Sequence, residues 1–219
     1  MQVIRPSYEI LTDISEGGVE ELKHIELIGR ACYKSEDKIS DDISSAKKLI
    51  KGHFIKCGHE SVLEHSTLCV KFIVDRGVSH ELVRHRMASY SQESTRYCNY
   101  SKGKFGGEVT YILPYMFDSD SAGPTIYSGY DEWLHSVGVA ESVYFGLLND
   151  GYSPEQARCV LPNSLKTEIV VTANYREWRH ILRLRCAKDA HPEIRRVMIP
   201  LCKELREKIP FIFDDVMVD

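Results

Sequence analysis

No part of this chain is apolar for long enough to cross a bilayer. Its apolar runs, Ile169-Val170-Val171 and Leu68 to Val74, fall far short of the ~20 residues that a spanning helix requires. The opening Met1-Gln2-Val3-Ile4-Arg5-Pro6 lacks the charged-then-apolar layout of a signal peptide. The 7 cysteines (Cys32, Cys57, Cys69, Cys98, Cys159, Cys186, Cys202) form no C-x-x-C pair, and their odd, scattered distribution argues against a disulfide framework. These absences point to the cytoplasm, with no membrane. The chain also has no G-x-G-x-x-G opening a helix and no Walker loop, since Gly103-Lys104-Phe105-Gly106-Gly107 has the wrong spacing. Repeats, low-complexity tracts and long linkers are missing too. A net charge of −4 provides no global field for nucleic acid.

What remains is an ordinary globular balance, 43% hydrophobic and 27% charged over 219 residues, which fits one domain spanning 1–219. Tyr8-Glu9-Ile10-Leu11 suggests a short strand. Leu22, Ile25, Ile28 and Cys32 recur at helical spacing, as do Ala46, Leu49, Ile50, Phe54 and Cys57. Leu68, Val70, Phe72 and Val74 alternate and predict a strand with one buried side. After Gly77, Val78, Leu82 and Val83 suggest a helix carrying Arg84-His85-Arg86, and Met87 to Tyr100 is expected to be a loop. A short strand is expected at Val109 to Leu113. A long helix is outlined from Ile126 through Leu148, and Ser153-Pro154-Glu155-Gln156 resembles a capping box that starts another. Thr167 to Asn174 predicts a buried strand, Arg176 to Arg185 a basic helix, and Ile194 to Ile209 a clean amphipathic one. Strands among runs of helix, without regular βαβ alternation, indicate an α+β fold with a mixed or antiparallel sheet packed with helices.

Positive charge is concentrated in two places, Arg84 to Arg96 and Arg176 to Arg196, which in an acidic chain suggests a pocket for small anions or a pair of solvated helix faces. On a helix Glu81, Arg84 and His85 would share a face, and the following hydroxyl- and amide-rich stretch could close around an anion. Arginine matches phosphate oxygens with a planar two-pronged donor. Ser94 would need an adjacent general base to act as a nucleophile, and Glu93 beside it need not face it. His59 and His65 stand six apart with Glu60 and Glu64 between them; a zinc-binding H-E-x-x-H places its histidines four apart, so no metal site is expected.

Arg84-His85-Arg86, seven residues, then Ser94-x-Arg96-Tyr97 resembles the signature of the flavin-dependent thymidylate synthases. Gly58-His59-Glu60-Ser61-x2-Glu64-His65, Ala157-Arg158-x-Val160-Leu161-Pro162 and Asn174-x-Arg176-x3-His180-x4-Arg185 resemble further blocks of that family, in its order. The resemblance implies reductive methylation of dUMP to dTMP. Methylenetetrahydrofolate would be the carbon donor, and FAD reduced by NADPH would supply the hydride. It implies a homotetramer with a non-Rossmann flavin site between subunits. FAD would meet Ser61, Arg84, His85, Arg86, Gln92, Asn174, Tyr175, Arg176 and His180. By the same resemblance dUMP would meet Glu81, Arg84, Gln92, Glu93, Ser94, Thr95, Arg96, Arg158 and Arg185, with Ser94, Thr95 and Arg96 on its phosphate. Arg185 would be the catalytic residue, a fixed cation against the pyrimidine. Glu81 stands where many members have Gln, and Gln92 where some have Glu, so Glu81 could pair with Arg84 instead. Two other readings compete: a nucleic-acid-binding module using the basic helix with Tyr90, Tyr97 and Tyr100 as stacking platforms, and a flavin reductase on the same scaffold.

Overall fold

The alternation of Leu68, Val70, Phe72 and Val74 becomes the centre of a sheet. In the computed structural model, which describes residues 1–103, 106–119 and 129–216, all four are 0% exposed. In chain order the elements are β1 (Gln2–Ile4), β2 (Ser7–Ile10), α1 (Val19–Tyr33), α2 (Ser44–Leu49), β3 (Thr67–Asp75) and α3 (Arg76–Leu82). They continue with β4 (Ala88–Gln92), β5 (Thr110–Ile112), α4 (Tyr130–Asn149), the one-turn α5 (Pro154–Ala157), β6 (Lys166–Asn174), α6 (Tyr175–Arg185) and α7 (Pro192–Lys208). A four-stranded sheet runs β2-β3-β6-β4, and β1 pairs with β5 in parallel. Beyond the ends of β3 and β6, Arg76 N–H donates to Asn163 O and Tyr175 N–H to Ser66 O, so these neighbours run antiparallel. The expected α+β character with a mixed sheet is the one observed. No helix among the described residues is long and apolar enough to cross a membrane.

The contacts divide the chain into two compact units, each discontinuous in sequence. The first comprises 1–7, 72–84 and 90–170; the second comprises 8–71, 85–89 and 171–219. In the first unit, Tyr100, Val109, Tyr111, Val137, Tyr144, Ala157 and Leu165 form one apolar cluster. Ser153 caps α5 as its sequence promised: its side chain accepts from Gln156 N–H while Gln156 answers to the Ser153 N–H. In the second unit, α1 places Gly29 against the Phe54 ring, where a Cβ would collide. Trp178 of α6 is fully buried and donates through Nε1 to Leu68 O at 2.9 Å. Arg179 is also fully buried, which its charge permits only because it is paired on several sides. It meets Glu60 at 3.0 Å, Asp215 at 2.7 Å and the carbonyl of Ile212.

Several expectations are corrected. Arg84-His85-Arg86 does not lie on a helix: α3 stops at Leu82, and the triplet occupies the turn that follows. The Tyr90 hydroxyl donates to Leu82 O at 2.7 Å, satisfying a terminal carbonyl that a further helical turn would have used. Glu81, Arg84 and His85 therefore share no helix face. The stretch after Met87 opens with a strand, β4, whose side chains alternate in exposure although nearly all are polar. The second predicted helix is α2 continued by π-type turns over Ile50–Ile55. The helix after Ser153 is a single turn. Ile126 of the expected long helix, and Lys104 and Phe105 of the glycine-bearing stretch, lie outside the described residues.

Candidate active site

The helix α6 is built to face two ways. Tyr175, Trp178, Ile181 and Leu182 recur at three- and four-residue steps and are buried, which leaves Arg176, His180 and Arg183 on a second face. Asn174 caps the helix, its side-chain oxygen accepting from Glu177 N–H at 2.8 Å, so the NH2 of the same amide is the group the cap does not use. Asn174, Arg176, His180 and Arg183 line a cavity of about 460 Å³, together with Glu177, Met87 and, from the turn Glu60–His65, Glu60 and Glu64. Arg176 pairs with Glu64, and Arg183 with Glu60 at 3.4 Å and Asp215 at 3.0 Å. The Arg176–Glu64 and Arg183–Asp215 pairs are about half exposed, so little free energy opposes exchanging these carboxylates for a ligand's anion, whereas Glu60 is largely buried. Asp215 itself is held below the usual carboxylate range; burial opposes this, but Arg179 and then Arg183 outweigh it.

His85 and Arg185 meet in the same unit. Arg185 Nε–H donates to His85 Nε2 at 2.9 Å, so Nε2 carries a lone pair and the ring proton sits on Nδ1. Nδ1 lies 3.9 Å from Glu177 Oε1, and the His180 ring stands edge-on at 5.9 Å. Burial, reinforced by the charges of Arg185 and His180, pushes His85 down to about 4. The imidazole is therefore a neutral acceptor for a cation.

The first unit holds the other group of expected residues. After β4 the chain turns at Ser94, whose carbonyl accepts from Tyr97 N–H at 3.1 Å and Cys98 N–H at 2.9 Å. Thr95 is buried and accepts from Arg158 Nη1 at 3.0 Å. Arg96 pairs with Glu155 at 2.9 Å, both about half exposed. Gln92 donates through Nε2 to Ser79 Oγ at 2.9 Å and Thr167 Oγ1 at 3.1 Å, which fixes the orientation of its amide. The Glu93 carboxylate takes Lys166 at 3.0 Å and the Tyr100 hydroxyl at 3.2 Å. Burial alone would lower Lys166, but Glu168 and Glu93 hold it above its ordinary value. Ser94 thus receives no general base from its sequence neighbour, and its Oγ accepts from Arg96 N–H at 3.3 Å.

Of the expected residues, His85, Asn174, Arg176, His180 and Arg185 gather in the second unit. Ser61 is exposed on the turn whose Glu60 and Glu64 line the cavity, and Arg86 is exposed beside the buried His85. Gln92 to Arg96 and Arg158 gather in the first unit. Arg84 is exposed, and its backbone N–H donates to Glu81 O at 3.2 Å. The unit boundary falls between Arg84 and His85, so the triplet is shared by two bodies. Tyr175 is buried, its ring packed against Phe213 at a centroid distance of 5.9 Å. The sequence reading did not single out Glu64, Met87, Glu177 or Arg183 as cavity residues. A signal existed for Arg183, three residues after His180, which itself stands four after Arg176, but none for Met87, which arrives from another segment.

The family model described as thymidylate synthase complementing protein matches residues 19–211. The chain belongs to this family. Similar curated members are flavin-dependent thymidylate synthases. That of Corynebacterium aurimucosum is 34% identical over 213 residues, covering 93% of this chain and 83% of the relative. That of Mycobacteroides abscessus is 34% identical over 201 residues, covering 87% and 78%. Among solved structures, the UMP/dUMP methylase PolB from Streptomyces cacaoi, bound with 5-Br dUMP, superposes with a TM-score of 0.79. It is 21% identical and covers 98% of this chain and 96% of that one. The thymidylate synthase complementing protein family therefore accounts for both the fold and the order of the arginine-bearing blocks.

Proposed function

We propose that the protein is a flavin-dependent thymidylate synthase, methylating dUMP to dTMP with methylenetetrahydrofolate as carbon donor and NADPH as reductant. The observation that carries the reading is the pair of arginine-rich constellations, one in each unit, within a chain that is about one-third identical to enzymes of that name.

The donor set of the second unit suits FAD. Asn174 offers an amide, His180 an imidazole, and Arg176 and Arg183 offer cations whose present partners are exchangeable, around a cavity of ligand size. His85 and Arg86 belong to the same set, with Ser61, Arg84 and Gln92 carried over from the resemblance. When bound, the flavin supplies hydride-transfer chemistry that no side chain here provides. In the first unit, Thr95, Arg96 and Arg158, with the Ser94 turn, suit the phosphate of dUMP. Glu155 must then yield Arg96, at a cost of roughly 0–1 kcal/mol for an exposed pair. Glu93, with both oxygens already engaged, buttresses this turn, and Glu81 stays with the substrate set only by resemblance. Arg185 carries the fixed positive charge that stabilises negative charge developing on the pyrimidine, and Ser94 is a ligand to phosphate rather than a nucleophile.

The units work together as a single domain over 1–219, in a homotetramer with shared sites. The half-exposed apolar residues Val139 and Val143 on α4 are consistent with such assembly. The seven unbridged cysteines suit a reducing cytoplasm. The decisive experiment uses the purified protein. A yellow chromophore bleached by NADPH, and dTMP formed from dUMP and methylenetetrahydrofolate, are expected; a colourless protein that leaves dUMP unchanged overturns the reading.

A further inference from the structure

We propose that His85 is a positioning residue for Arg185, orienting its guanidinium through a neutral acceptor so that the cation is aimed without being discharged. The inference rests on the role of Arg185 stated under the proposed function. The resemblance assigns His85 to the flavin, and nothing in it couples the histidine to Arg185.

Arg185 is the last residue of α6, at the end of a flexible stem that would cost up to about 2 kcal/mol of rotamer entropy to order. The guanidinium nitrogens are coplanar, so fixing Nε–H fixes the plane of the whole group. Nε–H is held by His85 Nε2 at 2.9 Å, on a ring that is itself 5% exposed and therefore locked by its surroundings.

The chemistry of the acceptor matters as much as its position. A carboxylate at this point would neutralise the guanidinium and weaken its field at a substrate, whereas a neutral imidazole supplies a lone pair and leaves the positive charge in place. The neighbouring groups favour that neutral state. Arg185 and His180 disfavour a second proton on the ring, and Glu177 lies on the Nδ1 side, favouring the proton there and the lone pair on Nε2. Glu177 stands in the first turn of the helix that ends in Arg185, so one element carries the cation and the group that sets the tautomer of its acceptor.

Three substitutions separate orientation from charge and from flavin binding. His85→Gln places a neutral amide oxygen near the former Nε2, His85→Glu places a charged acceptor there, and His85→Leu removes the acceptor. Each would be assayed as the flavin-loaded tetramer, with flavin content and melting temperature recorded first. dTMP turnover is expected to fall by about 10²–10³-fold in the Leu and Glu variants, comparable to removing one preorganised donor, and by less than about 10-fold in the Gln variant. The rate of flavin reduction by NADPH, measured per bound flavin, reads any contribution of His85 to the flavin site separately: the loss of dTMP turnover in the Leu and Glu variants is expected to exceed any loss in that rate, because reduction makes no demand on a cation at the pyrimidine. Histidine 15N NMR provides a readout independent of turnover: His85 in the parent is expected as the Nδ1–H tautomer, with that bias weakened in Arg185→Met, where Glu177 alone still favours it. Equal turnover in the Gln and Glu variants, an unimpaired Leu variant, or a tautomer unaffected by Arg185→Met overturns the inference alone. A parent protein that forms no dTMP overturns the proposed function, whatever the variants do.

Discussion

A buried histidine held neutral beside the Arg185 cation has consequences for how the protein responds to acid. The usual imidazole value near 6.5 falls to about 4 in the folded chain, because burial and then Arg185 and His180 disfavour the charged ring. Below pH 6.5 the unfolded chain takes up a proton that the folded one refuses, so stability falls as pH drops from about 6.5 to about 4 and levels off below that. A shift of this size contributes at most about 3 kcal/mol. Denaturant titrations of the parent between pH 4 and pH 7 are expected to show a steeper loss than those of His85→Gln; parallel curves would mean that the histidine protonates freely in the fold. At the other constellation, Arg158→Ala removes a charge-assisted donor that already holds Thr95. Its KM for dUMP is expected to rise about 10- to 100-fold with kcat changed far less, since phosphate contacts persist through the reaction. Steady-state kinetics decide this, and an unchanged KM would remove Arg158 from the phosphate site.

At the level of elements, the clearest expectation concerns α1. Gly29 sits where any side chain would enter the Phe54 ring, so Gly29→Ala is expected to destabilise the protein by about 1–3 kcal/mol despite the better helix propensity of alanine. An unchanged midpoint in urea would show that Phe54 moves aside at no cost. This contact was invisible in the sequence, where Gly29 is only a glycine in a helical pattern. The legible parts were those with a strong period. β3 follows from Leu68, Val70, Phe72 and Val74, α7 from its apolar stripe, and α5 from a capping box that forms as written. β4 was hidden because its alternation is among serine, tyrosine and glutamine, which give no hydrophobic contrast. The end of α3 was hidden for another reason: the group that satisfies Leu82 O is the hydroxyl of Tyr90, eight residues on. The same limit applied at the candidate site. Arginines and amides could be read from motifs, but the pairing of Arg185 with His85, one hundred residues apart, needed coordinates.

For the whole molecule, the division into two units does not follow the order of the gene. The chain moves from one unit to the other after residues 7, 71, 84, 89 and 170, and β3, β4 and β6 each contribute to both. Residues 72–170 expressed alone lack β1, the partner of β5. That fragment is expected to show no cooperative melting transition by calorimetry, and a sharp transition would identify it as self-sufficient. The interleaving also constrains inheritance. A recombination crossover or an inserted stop separates strands that belong to one body, so neither half can be borrowed by another protein as a contiguous cassette. Diversification on this scaffold must therefore proceed by point substitution and loop length, with the two units passed on as a single indivisible lineage.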